Sequence, residues 1–151
     1  MKISMGLVGL LVLAAAGCGD DGGDGSGPGP DGPSIVGTYT ERYNCDEDGS
    51  CADMDESARI TITEGAGPGQ YDFEEPGGAW SGSGTLSGTT FTWTASEPEY
   101  TETGTWIFNE DLDAFSKTSD YTYNAGGGGT CTGEAVKMGN PPAPAAIGGC
   151  P

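Results

Sequence analysis

About eight short stretches in which apolar and polar residues alternate, parted by little more than turn residues, constrain this chain more than any other feature. A period of two sends one side chain inward and the next outward, the mark of a strand with one buried face. Ile35, Gly37, Tyr39 and Tyr43 share a face of the first stretch, and Ala58, Ile60 and Ile62 alternate with Arg59, Thr61 and Thr63 in the second. Tyr71 and Phe73 alternate with Gln70, Asp72 and Glu74, then Trp80, Gly82, Gly84 and Leu86 with Ser81, Ser83 and Thr85. A turn at Ser87-Gly88 leads to Phe91, Trp93 and Ala95 set against Thr90, Thr92 and Thr94. Tyr100, Gly104, Trp106 and Phe108 follow, then a polar turn over Asn109 to Asp113, and last the runs 115–123 and 131–137. No segment carries a sustained helical stripe, and the abundant Gly and β-branched Thr disfavour helices.

Connections this short allow only antiparallel neighbours. Eight meandering strands with one apolar face must curl, stack or close, because a flat sheet leaves an exposed edge. The expected fold is therefore all-β, an antiparallel up-and-down barrel over 34–138, with a β-sandwich as the alternative. Gly82, Gly84 and Gly104 stand where a tight barrel bends. The opening Gly37-Thr38-Tyr39 resembles the Gly-x-Trp start of lipocalins, with Tyr in place of Trp. The resemblance implies a lipocalin-like domain, non-enzymatic, that holds a small apolar ligand inside its barrel.

The N-terminus reads as a targeting segment. Lys2 precedes an apolar run from Ile3 to Ala16, too short to span a bilayer, which takes about 20 apolar residues. It ends Ala15-Ala16-Gly17-Cys18, which resembles the lipobox of bacterial lipoproteins, with Ala15 where that family more often has Leu. The resemblance implies cleavage before Cys18, a diacylglycerol on its thiol and an acyl chain such as palmitate on the new amine. Residues 1–17 are then a signal peptide. Residues 18–33 are the lipidated cysteine and a Gly/Asp/Pro tether with nothing apolar to bury, and 139–151 are a Pro/Ala/Gly-rich tail. In lipoproteins an Asp directly after the cysteine favours inner-membrane retention. Gly19 stands there, so the outer membrane of the cell envelope is expected.

Charge excludes some partners. All 23 acidic residues lie beyond Cys18, against Arg42, Arg59, Lys117 and Lys137. Nucleic acid is excluded, because phosphate contacts need clustered Lys and Arg. Adhesion to an anionic leaflet without the lipid is excluded likewise. A strongly negative surface keeps a tethered protein soluble and favours cations or basic partners, an envelope protein or glycan among the possibilities.

Chemistry is limited by what is missing. The chain has no histidine, so the usual general base and zinc ligand are gone and no enzyme is expected. Glu74 and Glu75 are neighbours on a strand and point apart, whereas Glu97 and Glu99 flank Pro98 in a turn. Cys45, Cys51, Cys131 and Cys150 are an even set in an exported chain, read as two disulfides. A closed barrel lays the last strand beside the first. That favours Cys45–Cys131 with Cys51–Cys150, over Cys45–Cys51 with Cys131–Cys150.

Three candidate sites remain. Asn44, Asp46, Asp48, Ser50 and Asp55, with Gly49 after the third oxygen ligand, resemble a D-x-D-x-D-G calcium loop, although an acidic hairpin loop explains the same residues. Tyr39, Phe73, Trp80, Phe91, Trp93, Trp106 and Phe108 would line a ligand cavity or simply fill the core. Tyr39, Tyr43, Tyr100, Tyr121 and Tyr123 are expected exposed at the barrel ends, available to a protein or glycan.

Overall fold

The computed structural model describes residues 33–147. The expected signal peptide, Cys18, the tether up to residue 32, and Cys150 lie outside the described residues.

Among those residues the chain forms nine strands and no helix. They are β1 (Gly37–Glu47), β2 (Ser50–Cys51), β3 (Glu56–Glu64), β4 (Gln70–Glu74), β5 (Ser81–Ser87), β6 (Thr90–Ser96), β7 (Tyr100–Phe108), β8 (Ala114–Tyr123) and β9 (Gly128–Val136). From β3 to β9 each strand pairs antiparallel with the next, and β1 joins β3 on one side and β9 on the other. Thr40↔Val136 through Cys45↔Cys131 is the closing ladder. The fold is thus a closed eight-stranded up-and-down barrel, to which β2 adds a two-residue hairpin on the end of β1.

Alternation fills the inside. Tyr39, Ile60, Ile62, Phe73, Phe91, Trp93, Ala95, Trp106, Phe108, Phe115 and Ala135 form one core, each at most 3 % exposed. The rings pack mainly edge-on or tilted, with Phe73 within 4.8–6.1 Å of Trp80, Phe91, Trp93 and Trp106. So many large rings fit because some inward positions carry no side chain. A Cβ on Gly84 would lie 2.5 Å from Thr92 O and 2.6 Å from Phe91 Cζ. On Gly104 it would lie 2.7 Å from Trp93 Cζ2. These glycines make space for neighbouring rings as well as allowing curvature.

Outward positions carry Ser and Thr. Thr85, Thr92, Thr105, Thr118 and Thr132 stand opposite one another across five successive strands, forming a continuous row. Thr holds the extended backbone through its branched Cβ while offering water a hydroxyl. A barrel that spans lipid has the reverse arrangement, apolar outside and polar within.

The two ends differ. One is closed by Ile35 and Tyr39, both fully buried, with the Tyr39 hydroxyl donating towards Ile35 O (3.0 Å) and Leu112 O (2.9 Å). Tyr39 is therefore a sealing residue, where the sequence suggested an exposed one. Across the seam, the described part of the C-terminal tail lies against the barrel wall. Ala145 O accepts from Asn44 Nδ2 (3.0 Å) and Thr132 Oγ1 (2.9 Å), and Ile147 is buried.

Cys45 and Cys131 form a disulfide across this seam, as the closed-barrel geometry implied. Cys51 is disulfide-bonded as well. Its expected partner, Cys150, lies outside the described residues.

Candidate functional site

The end opposite Tyr39 is open. There the inward positions change from hydrocarbon to charge, and the barrel holds a cavity of about 500 Å³. Its floor is built from Glu41 on β1, Glu102 on β7 and Lys117 on β8, with Ser119 beside them, each at most 7 % exposed. Lys117 Nζ lies 3.1 Å from Glu102 Oε1 and 3.7 Å from Glu41 Oε1. Glu102 is fully engaged, since Ser119 Oγ donates to its Oε1 (2.5 Å) and Trp80 Nε1 to its Oε2 (2.9 Å).

Glu41 is not. Its Oε1 is buried and has no hydrogen-bond partner among the described residues, because 3.7 Å from Lys117 is an ion-pair distance and too long for a hydrogen bond. One ammonium cannot neutralise two carboxylates. Burial, the largest influence, pushes the Glu41 carboxyl above its ordinary 4.5, although Lys117 opposes the shift. Burial also works against the Lys117 ammonium, but Glu41 and Glu102 outweigh it and hold the group above its ordinary 10.5. The floor is thus a firm Lys117–Glu102 pair with a second carboxyl drawn towards its neutral form.

Above the floor stand Tyr43, Tyr100, Tyr121 and Tyr123, with Glu47, Asp53, Glu75 and Glu97 around them. Tyr100 packs edge-on against Tyr121 and Tyr123, with centroids 6.1 and 6.0 Å apart, and its hydroxyl donates to Glu97 Oε1 (3.3 Å). Burial, then nearby Asp53, pushes the Tyr43 phenol up to about 12. Burial, then Tyr123 and nearby acids, does the same for Tyr121, also to about 12. These phenols stay neutral at physiological pH, as aromatic faces with hydroxyl tips.

The expected sites fare differently. Of the seven aromatic residues proposed for a cavity, Trp80 lines this one, while Tyr39, Phe91, Trp93, Trp106 and Phe108 are core packing and Phe73 belongs to the same ring cluster. The cavity lining is mostly acid and phenol, not the apolar wall expected. Four of the five tyrosines do gather at one end, half-buried around the mouth or, for Tyr121, buried beneath it. Glu75 and Glu97 reach the mouth; Glu74 and Glu99 are exposed and do not line it.

The calcium-like residues are not brought together. Asp48 and Gly49 both have positive φ, 48° and 80°, and form the two-residue turn of the β1–β2 hairpin. Asp-Gly is the sequence that such a turn selects. Strand β1 runs on through Asn44 and Asp46, and one side-chain oxygen of each is already engaged. Asn44 Oδ1 accepts from Asp55 N (2.7 Å), and Asp46 Oδ1 accepts from Thr130 N and Thr130 Oγ1, both at 2.7 Å. Asp55 is ion-paired with Arg42, and Ser50 is an exposed residue of β2. Among the described residues no group of three or more acidic or cysteine side chains is placed to hold a metal.

The floor itself was missed in the sequence, although a signal was present. Glu41 sits between Tyr39 and Tyr43, Glu102 between Tyr100 and Gly104, and Lys117 between Phe115 and Ser119, all on the inward phase of the alternation. Charges at inward positions of three strands break the pattern for a packed interior. The sequence matches no family model and no curated protein.

Proposed function

We propose that the chain is an exported lipoprotein, held to the cell envelope by lipid on Cys18, whose barrel is a non-catalytic module binding a small molecule in its open end. One observation carries the binding reading: the interior is packed solid at the closed end yet leaves about 500 Å³ open to solvent at the other, over a buried polar floor. A barrel needing only stability would continue its aromatic packing to both ends. The small size and enclosure suit a ligand of low molecular weight. The lipobox-like Ala15-Ala16-Gly17-Cys18 and the Gly/Asp run behind it support the anchor.

Native mass spectrometry of the full chain from detergent-solubilised membranes tests both parts. The expected masses are a mature chain beginning at acylated Cys18, plus an added small molecule. An Ala58→Trp variant, which puts an indole into the mouth, should lose the added mass but keep the lipid. An unacylated chain refutes the anchor. A cavity that takes up no small molecule under any loading condition refutes the binding reading.

A further inference from the structure

Resting on that binding reading, we propose that the ligand is an organic ammonium ion bearing at least one N–H, seated in the barrel mouth among Tyr43, Tyr100, Tyr121, Glu97 and Glu41. Three independent features of the mouth converge on this chemistry.

The first is sign. Six carboxylates line the cavity, against Lys117, the one cation among its described lining residues, and Lys117 is spent on Glu102. Arg42, Arg59 and Lys137 do not line it. A concave acidic surface with low-dielectric walls focuses a negative potential, so it attracts cations and repels anions.

The second is an unmet valence. Glu41 Oε1 is a buried acceptor with no donor, in a residue that lines the cavity. Leaving such an atom unsatisfied is costly, and an incoming N–H supplies what it lacks. A neutral apolar ligand would leave it orphaned, and a carboxylate ligand would bring further acceptors and no donor.

The third is that the chain already holds an ammonium in this manner. Lys117 Nζ sits 5.7 Å from the centre of the Tyr43 ring and 5.5 Å from those of Trp80 and Trp93, between two carboxylates. Aromatic faces attract cations through their negative quadrupole. The mouth repeats these parts one layer higher, with Tyr100, Tyr121 and Tyr123 as the rings and Glu97 as the acid, and there no side chain among the described residues occupies the position of the ammonium.

Calorimetry on the full chain in detergent, with four probes, distinguishes the possibilities. The probes are 2-phenylethylamine, its neutral isostere 2-phenylethanol, phenylacetate and palmitate. The amine should bind at least tenfold more tightly than the alcohol, phenylacetate should not bind measurably, and raising the salt should weaken the amine. Glu97→Gln should weaken the amine several-fold with an unchanged unfolding midpoint, and Glu74→Gln, on the outer wall, should leave it unchanged. Glu41→Gln should also weaken it, and Glu97→Gln carries the test if that buried variant fails to fold. Equal binding of alcohol and amine, or binding of palmitate alone, overturns the ammonium assignment and leaves the binding reading standing. Amine binding that Glu74→Gln reduces as much as Glu97→Gln shows general attraction to an acidic surface and also overturns it. No uptake of any probe, with no copurified molecule, overturns both.

Discussion

Replacing Lys117 with Met tests the barrel floor, because it removes the ammonium and keeps the length of the side chain. With an effective dielectric constant near 20, unit charges at the observed 3.1 and 3.7 Å attract by roughly 5 and 4 kcal/mol before desolvation is counted. Much of that gross attraction offsets the burial of Nζ in the native protein. Removing one partner of a buried pair leaves its mate uncompensated and costs about 3–5 kcal/mol. Glu102 keeps its donors from Trp80 and Ser119, so most of the damage falls on Glu41. Glu41 can escape by taking up a proton. From an ordinary value of 4.5, that costs at most about 3.4 kcal/mol at pH 7. A carboxyl whose folded pKa is raised contributes stability that is fully present below its unfolded pKa and is lost as pH rises through the folded one. The variant should therefore lag the parent by about 3–5 kcal/mol at pH 7.5 and by less than about 2 kcal/mol at pH 5. Urea unfolding followed by tryptophan fluorescence reads both values. A deficit under about 1 kcal/mol at pH 7.5, or one that does not change with pH, refutes the account of the floor. As a control, the triple variant Glu41→Gln/Lys117→Met/Glu102→Gln should return to within about 2 kcal/mol of the parent, because no isolated charge remains.

In a Cys51→Ala background, which removes the second bridge, opening the Cys45–Cys131 disulfide by replacing both residues with Ala should cost about 4–5 kcal/mol, since it closes a loop of 86 residues; a loss of unfolding free energy in urea below a quarter of that would contradict the reasoning. Two Gly→Ala variants should separate conformation from crowding. Gly88 has φ 60° with open space around it and should lose about 1 kcal/mol, whereas Gly104, whose Cβ would meet Trp93 and Ser119, should lose at least 3 kcal/mol or fail to fold. Spectrophotometric titration at 295 nm should show Tyr43 and Tyr121 still largely un-ionised at pH 11, both lying near 12. Since their folded values are raised, the stability linked to the neutral phenols should persist below pH 10 and fall away as pH approaches 12.

The barrel was legible because alternation is a local property. Each of the runs around Ile60, Phe73, Trp93 and Trp106 declares its inward face within five or six residues, and the short turns between them leave little choice of partner. The disulfide followed from closure, which places Cys131 opposite Cys45. The site was not legible in the same way. Glu41, Glu102 and Lys117 are far apart in the chain, and although each falls on the inward phase of its strand, none alone shows which charges it meets. Their meeting depends on register, for a shift of one residue would turn all of them outwards. Ring packing hid from the sequence for a related reason. Whether Phe91 and Trp106 surround a ligand or one another depends on the room left by Gly84 and Gly104, which alternation alone does not measure. The Asp48-Gly49 pair had two physical readings, metal loop or tight hairpin, and the pairing of Glu47 with Ser50 across it makes it the turn of a hairpin.

The seam disulfide also determines how the barrel carries load. A pull applied across the two ends of the described chain runs along β1 to Cys45, crosses the covalent bond to Cys131 and leaves through β9. The intervening strands lie off that path. At about 3.4 Å per extended residue, the 86-residue separation removes roughly 290 Å of potential extension from the reach of the force. Stretched by its ends, the molecule can peel only its outermost lengths, while the mouth stays within a covalently closed ring.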